Sequence, residues 1–181
     1  MVRTGPDRPN KEDVEALTQT LNKSNSGLKL AIEDMNAMAT NRKEAGYETL
    51  TVAAGDTTPK APATGESDEW GLSYVIPSNA ADEFVTLHDR AEFDEIGVYQ
   101  ADEEGVRYIV TEHLDHDEQI ALFIAGTFRL QFAAPLVRTA LDRGHLYTHI
   151  KKLDGAHLGT IDHDNPDIFF PNPEMVYSYE R

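Results

Sequence analysis

Nine consecutive residues, Ile120 to Phe128, carry no charge in a chain where 27% of residues do. An apolar run of that length has to be buried on both faces, and it is too short for the roughly 20 residues of a membrane-spanning helix. It therefore reads as the central strand of a sheet, from Gln119 to Ala125. The rest of the fold has to be arranged around it.

The segments on either side have clear periods. Asn10, followed by Glu12 and Asp13, opens a helix with a cap and acids in its first turn. Val14, Leu17, Leu21, Ser24, Leu28, Ala31, Met35 and Met38 then keep heptad spacing through Ser24-Asn25-Ser26-Gly27. The spacing favours one long helix over 11–44 with a weak middle, ended by Gly46; the alternative is a helix pair meeting at Gly27. Strands are expected at 48–54, 70–76, 95–101 and 106–112, with a tight turn at Asp102-Glu-Glu-Gly105. Shorter helices follow over about 80–91 and 128–142, Pro135 pushing the start of the second toward Phe132. A final hairpin spans 146–161 across Asp154-Gly155.

These readings predict an α+β fold: a mostly antiparallel sheet of five to seven strands, a long N-terminal helix and two shorter helices. Residues 1–9 read as disordered, 10–45 as the N-terminal helix, and 46–171 as the α+β domain. Within it, Gly55 to Glu69 reads as a mobile loop. The tail 172–181 reads as irregular, with Phe169-Phe170-Pro171 clamping it onto the sheet.

The charge balance sets the habitat. The chain has 32 acidic and 16 basic residues, a net charge of −16, only seven Lys, and acids spread from Asp7 to Glu180. Such a surface repels itself in dilute buffer, whereas molar salt shortens the Debye length to about 3 Å and screens the repulsion. The expectation is a halophilic protein. The same charge argues against nucleic acid, which needs Lys and Arg to replace phosphate counterions, and no basic cluster here exceeds Lys151-Lys152. Anionic membrane surfaces are disfavoured likewise. The first residues carry no apolar signal segment, so the expected compartment is the cytoplasm. With no Cys, disulfides, thiolate catalysis and zinc ribbons are excluded.

Apart from the final hairpin, the element order resembles that of the roadblock and longin-like scaffolding folds, antiparallel sheets flanked by helices, many of whose members dimerise. A second resemblance rests on Leu146-Tyr-Thr-His-Ile-Lys-Lys-Leu-Asp-Gly-Ala-His-Leu-Gly-Thr160, His163-Asp164 and Phe169-Phe170-Pro171. Thr111-Glu112-His-Leu-Asp115 and Ile124-Ala-Gly-Thr127 share it. Over about residues 46–171 the chain resembles a haloarchaeal family of uncharacterised proteins. That resemblance implies origin and compartment, and lends no activity or ligand.

Candidate chemistry centres on the seven His. His149, His157 and His163 form the candidate ligand or metal set, which needs about three N/O ligands. In a strict two-residue turn His149 opposes Thr160 and His157 faces the other way; a longer turn brings the two together. His149 with Asp162 or Asp164 could act as a base on Thr148 or Thr160. Glu112-His-Leu-Asp-His-Asp117 is rich in ligand types but lacks calcium-loop spacing, and reads as a solvated turn. No nucleophile elbow or phosphate-binding loop is present, and no cofactor is implied. The clearest interaction feature is the stripe Val14, Leu17, Leu21, Leu28 and Met35, either a dimer seam or the face docked on the protein's own sheet. The expectation is a non-enzymatic interaction or scaffolding module whose partner is a second copy or another protein, using the sheet edge or the N-terminal helix; the rival is a ligand- or metal-binding protein or enzyme.

Overall fold

The computed structural model describes residues 11–62 and 69–180, with the backbone alone for 11–25. The expectations for residues 1–9 and for 63–68 lie outside the described residues. One continuous helix, α1 (Lys11–Glu44), precedes β1 (Glu48–Ala53), β2 (Asp56–Lys60) and β3 (Gly71–Ile76). Then come α2 (Ser78–Arg90), β4 (Glu95–Glu103), β5 (Val106–Asp115) and β6 (Ile120–Arg129). The chain closes with α3 (Ala134–Arg143), β7 (Leu146–Lys152), β8 (His157–His163) and α4 (Pro173–Tyr177).

Among the described residues, eight strands make two four-stranded sheets, ordered β1-β6-β5-β4 and β2-β3-β7-β8. This corrects the single sheet of five to seven strands. The reason is non-local pairing. β1 runs parallel to β6, starting at Glu48↔Ile120, and β3 runs parallel to β7, starting at Leu72↔Thr148. Each sheet thus joins an early strand to a late one, which local alternation cannot announce. The added strand, β2, takes the first part of the stretch that reads as a loop. Pro59 is tolerated there because β2 is a sheet edge.

The apolar run does what its composition demands. Ile120, Leu122 and Ile124 face the second sheet, packing with Leu72, Tyr74, Ile76 and Ile150. Ala121, Phe123 and Ala125 face the opposite way, against Met35 and Ala39 of α1. The first sheet is therefore covered on both faces, by the second sheet and by α1. Gly126 lets the two sheets approach: a Cβ there would lie 2.4 Å from Thr57 Oγ1 and 2.8 Å from the Tyr74 ring. Gly144, left-handed at φ 66°, ends α3. Phe169 and Phe170 are buried in the core, and so is Val176 of α4. Among the described residues, no helix is long and apolar enough to cross a membrane.

Candidate functional site

The hairpin β7–β8 divides the three candidate histidines. His149↔Thr160 are direct partners, but the ladder then slips, pairing Ile150 with Gly159 and Lys151 with His157. The turn is a three-residue loop, Leu153-Asp154-Gly155, with Gly155 at φ 90° and Gly155 N donating to Lys152 O at 2.9 Å. The bulge at Leu158 rotates His157 onto the face of His149. His163 points to the opposite face, into the space between the sheets.

On the outer face the two histidines meet at one hydroxyl. His149 Nε2 lies 2.9 Å from the Trp70 carbonyl and His149 Nδ1 lies 3.0 Å from Thr160 Oγ1. His157 Nε2 lies 2.8 Å from the same oxygen. Desolvation holds the His149 pKa below its usual value, so the ring is neutral at pH 7. A carbonyl only accepts, so Nε2 of neutral His149 carries the proton and Nδ1 the lone pair. Thr160 then donates to His149 Nδ1 and accepts from His157 Nε2–H. The tautomers follow from these partners. Both ring nitrogens of His149 are satisfied, which is also how a sheet retains a buried imidazole.

Next to this relay, the aromatic groups Trp70, Tyr147 and His145 are in mutual edge or tilted contact. The Arg143 guanidinium lies 5.2 Å from the Trp70 ring centre. His145 Nε2 lies 3.0 Å from Asp162 Oδ1. His145, Asp162 and Asp164 each offer a ligand atom within 4.8 Å of the others, both carboxylates being exposed.

Between the sheets a different pair forms. His113 on β5 and His163 on β8 face each other with ring centres 5.7 Å apart. His113 Nε2 is 3.0 Å from Thr111 Oγ1, and His163 Nε2 is 2.8 Å from Thr148 Oγ1. Desolvation pushes the His113 pKa well down and brings that of His163 to about 4. His113 is fully buried, which corrects the solvated turn expected from Glu112 to Asp117. Ile109, Thr111 and His113 alternate along β5, and that period of two is the signal that places His113 inward.

The rest of that acidic turn is consumed by structure. Glu112 forms a two-pronged ion pair with Arg42 of α1, at 2.9 and 3.2 Å. Asp115 accepts the backbone N–H of Glu92 and of Glu118, at 2.8 and 2.9 Å, and these bonds hold its carboxyl below the usual range. His116 sits 2.6 Å from Glu95, which raises its pKa.

The interaction stripe is only partly described. Met35 is buried on the first sheet, Leu28 is half-buried, and Val14, Leu17 and Leu21 have side chains outside the described residues. A groove that the sequence does not announce runs between α1 and β4, about 420 Å³ in volume. Leu30 and Tyr99, 60% and 49% exposed, both line it.

Residues 14–171 match a family of unknown function, DUF7529, and the chain belongs to that family. No curated protein and no solved structure matches the chain.

Proposed function

We propose that this chain is a non-enzymatic interaction module of a salt-rich, haloarchaeal cytoplasm, and that it pairs with a second copy of itself along the groove between α1 and β4. The observation that carries this reading is the exposure of Leu30 and Tyr99 on the lining of one groove at a sheet edge. β4 is the last strand of its sheet, and an open edge is a template for another strand.

Tyr99 is the middle residue of β4, Glu95–Glu103. An antiparallel pairing of β4 with its own copy puts a two-fold axis there, and each Tyr99 then meets the partner's groove. Such an interface is self-complementary. The helix adds reach. At about 1.5 Å per residue, α1 is roughly 51 Å long, whereas a ten-residue strand spans about 33 Å. By sequence, Val14, Leu17 and Leu21 extend the heptad stripe toward the start of that helix.

The groove also carries Asp34, Asp102 and Glu103. Two acidic copies repel each other in dilute buffer and associate once salt screens them. Sedimentation equilibrium in molar KCl tests the reading. Wild type is expected at twice 20.2 kDa, and Leu30→Asp and Tyr99→Asp at the monomer mass with unchanged circular dichroism. A wild type that stays monomeric at every concentration overturns it.

A further inference from the structure

We propose that His113 and His163 bind one divalent transition-metal ion of the zinc class, with Asp164 completing the set from the rim. The two rings line a cavity of about 430 Å³ between the ends of the sheets, whose rim carries Asp94, Glu95, Asp162 and Asp164.

Three observations lead there. The first is spacing. An ion about 2.1 Å from each of two imidazole nitrogens sets the ring centres roughly 4.5–6 Å apart, and these lie 5.7 Å apart. The second is the outer shell. Metal-bound imidazoles use their second nitrogen on a hydrogen-bond partner that fixes the ring. Here both Nε2 atoms are held by threonine hydroxyls, Thr111 and Thr148, which leaves Nδ1 as the remaining nitrogen of each ring. The third is an unsatisfied atom. His113 is fully buried and its Nδ1 has no hydrogen-bond partner. Buried polar atoms are nearly always partnered, and an ion between the rings would satisfy this one.

The carboxylates differ in availability. Glu95 is bonded to His116, Asp162 is bonded to His145, and Asp94 accepts the backbone N–H of His116. Asp164 is exposed at the cavity wall, where its carboxylate lies within 4.8 Å of ligand atoms of His145 and Asp162; binding an ion on the two rings requires its side chain to turn from that cluster toward them. Two imidazoles, one carboxylate and a water make a four-coordinate set of the kind zinc accepts.

Cobalt(II) titration of the full chain, read by visible absorption and by thermal shift, tests this. Wild type is expected to develop a four-coordinate cobalt spectrum. At about 100 times the dissociation constant its melting temperature should rise by roughly 5–10 °C. His113→Gln and His163→Gln should lose both signals, and His145→Ala and His149→Ala should keep them. Asp164→Asn alters only an exposed side chain, so the fold is retained; its cobalt affinity should fall at least tenfold. If the buried-histidine variants do not fold, the wild-type spectrum and the His145→Ala response decide: a response kept in His145→Ala and weakened in Asp164→Asn supports the inner site, and one lost in His145→Ala overturns it. A wild type with no cobalt response overturns the proposal, as does a response retained by Asp164→Asn at full affinity. Loss of the response in His145→Ala with retention in His163→Gln overturns it too, moving the ion to the outer cluster.

Discussion

Gly27 of α1 lies flat against the ring of Tyr108 on β5: a Cβ on Gly27 would sit 2.4 Å from Tyr108 Cζ. This contact explains a glycine inside a long helix. Alanine in a helix interior is ordinarily about 1 kcal/mol better than glycine. Here that gain is offset by the displacement of a buried ring. Gly27→Ala should lower the melting temperature, and Gly27→Ala with Tyr108→Leu should recover it. A Gly27→Ala protein more stable than wild type would show that the ring yields freely.

The relay on the outer face makes an asymmetric prediction. Thr160→Val removes the one partner of His149 Nδ1 while keeping the shape of the side chain, and should cost about 1–2 kcal/mol in urea unfolding. His157→Ala removes an exposed donor and should change stability by less than about 0.5 kcal/mol. Equal costs for the two would mean that His157 is a structural member of the relay.

The buried imidazoles make the metal-free protein acid-sensitive. The fold holds His113 and His163 neutral, His163 with a pKa of about 4. The unfolded chain takes up protons near 6.5 and so binds more of them below that pH. The contribution is whole above about pH 6.5 and is lost as pH falls toward 4. For His163 this amounts to about 2 kcal/mol at pH 5. The groups facing the pair are His88, His145 and the cavity carboxylates Asp94, Glu95, Asp162 and Asp164. His116, raised by Glu95, works in the opposite direction but is exposed. Urea midpoints in chelator at pH 7.5 and pH 5 should differ in wild type and converge in His163→Gln. Equal midpoints in wild type would show that His163 is not desolvated.

Salt should stabilise the fold itself, apart from any association. With a net charge of −16, screening relieves repulsion across the whole surface. Each kcal/mol relieved raises the melting temperature by about 2–4 °C in a chain of this size. Melting of the monomeric Tyr99→Asp variant across a KCl series checks this; a flat series would remove the halophilic reading.

Much of the element list is legible in the sequence because it rests on local periods. The continuous α1 follows from the unbroken stripe through Gly27, and the β4–β5–β6 meander follows from alternation and from the turn at Gly105. The two-sheet arrangement is not legible. Asp56-Thr-Thr-Pro-Lys60 has loop composition and becomes a strand only because Thr57 and Pro59 find Tyr74 and Leu72 across the ladder. The site divides the same way. Partnering of His149 with Thr160 follows from strand register, whereas the rotation of His157 needs a bulge that no residue type demands. The His113–His163 pair depends on how two sheets stack, which lies beyond any local pattern.

The two parallel ladders also set the order in which a nascent chain can complete itself. Glu48 has no strand to join until Ile120 is made, and Leu72, paired early with Pro59, gains its second neighbour only with Thr148. Each ladder closes a long loop before any reward is collected, which slows folding. During synthesis the first strands leave the ribosome with their edges open, and the acids beside them, Glu44, Glu48 and Asp56, disfavour pairing between neighbouring chains. The surface charge is then a chaperone built into the sequence, most needed in the seconds before β7 arrives.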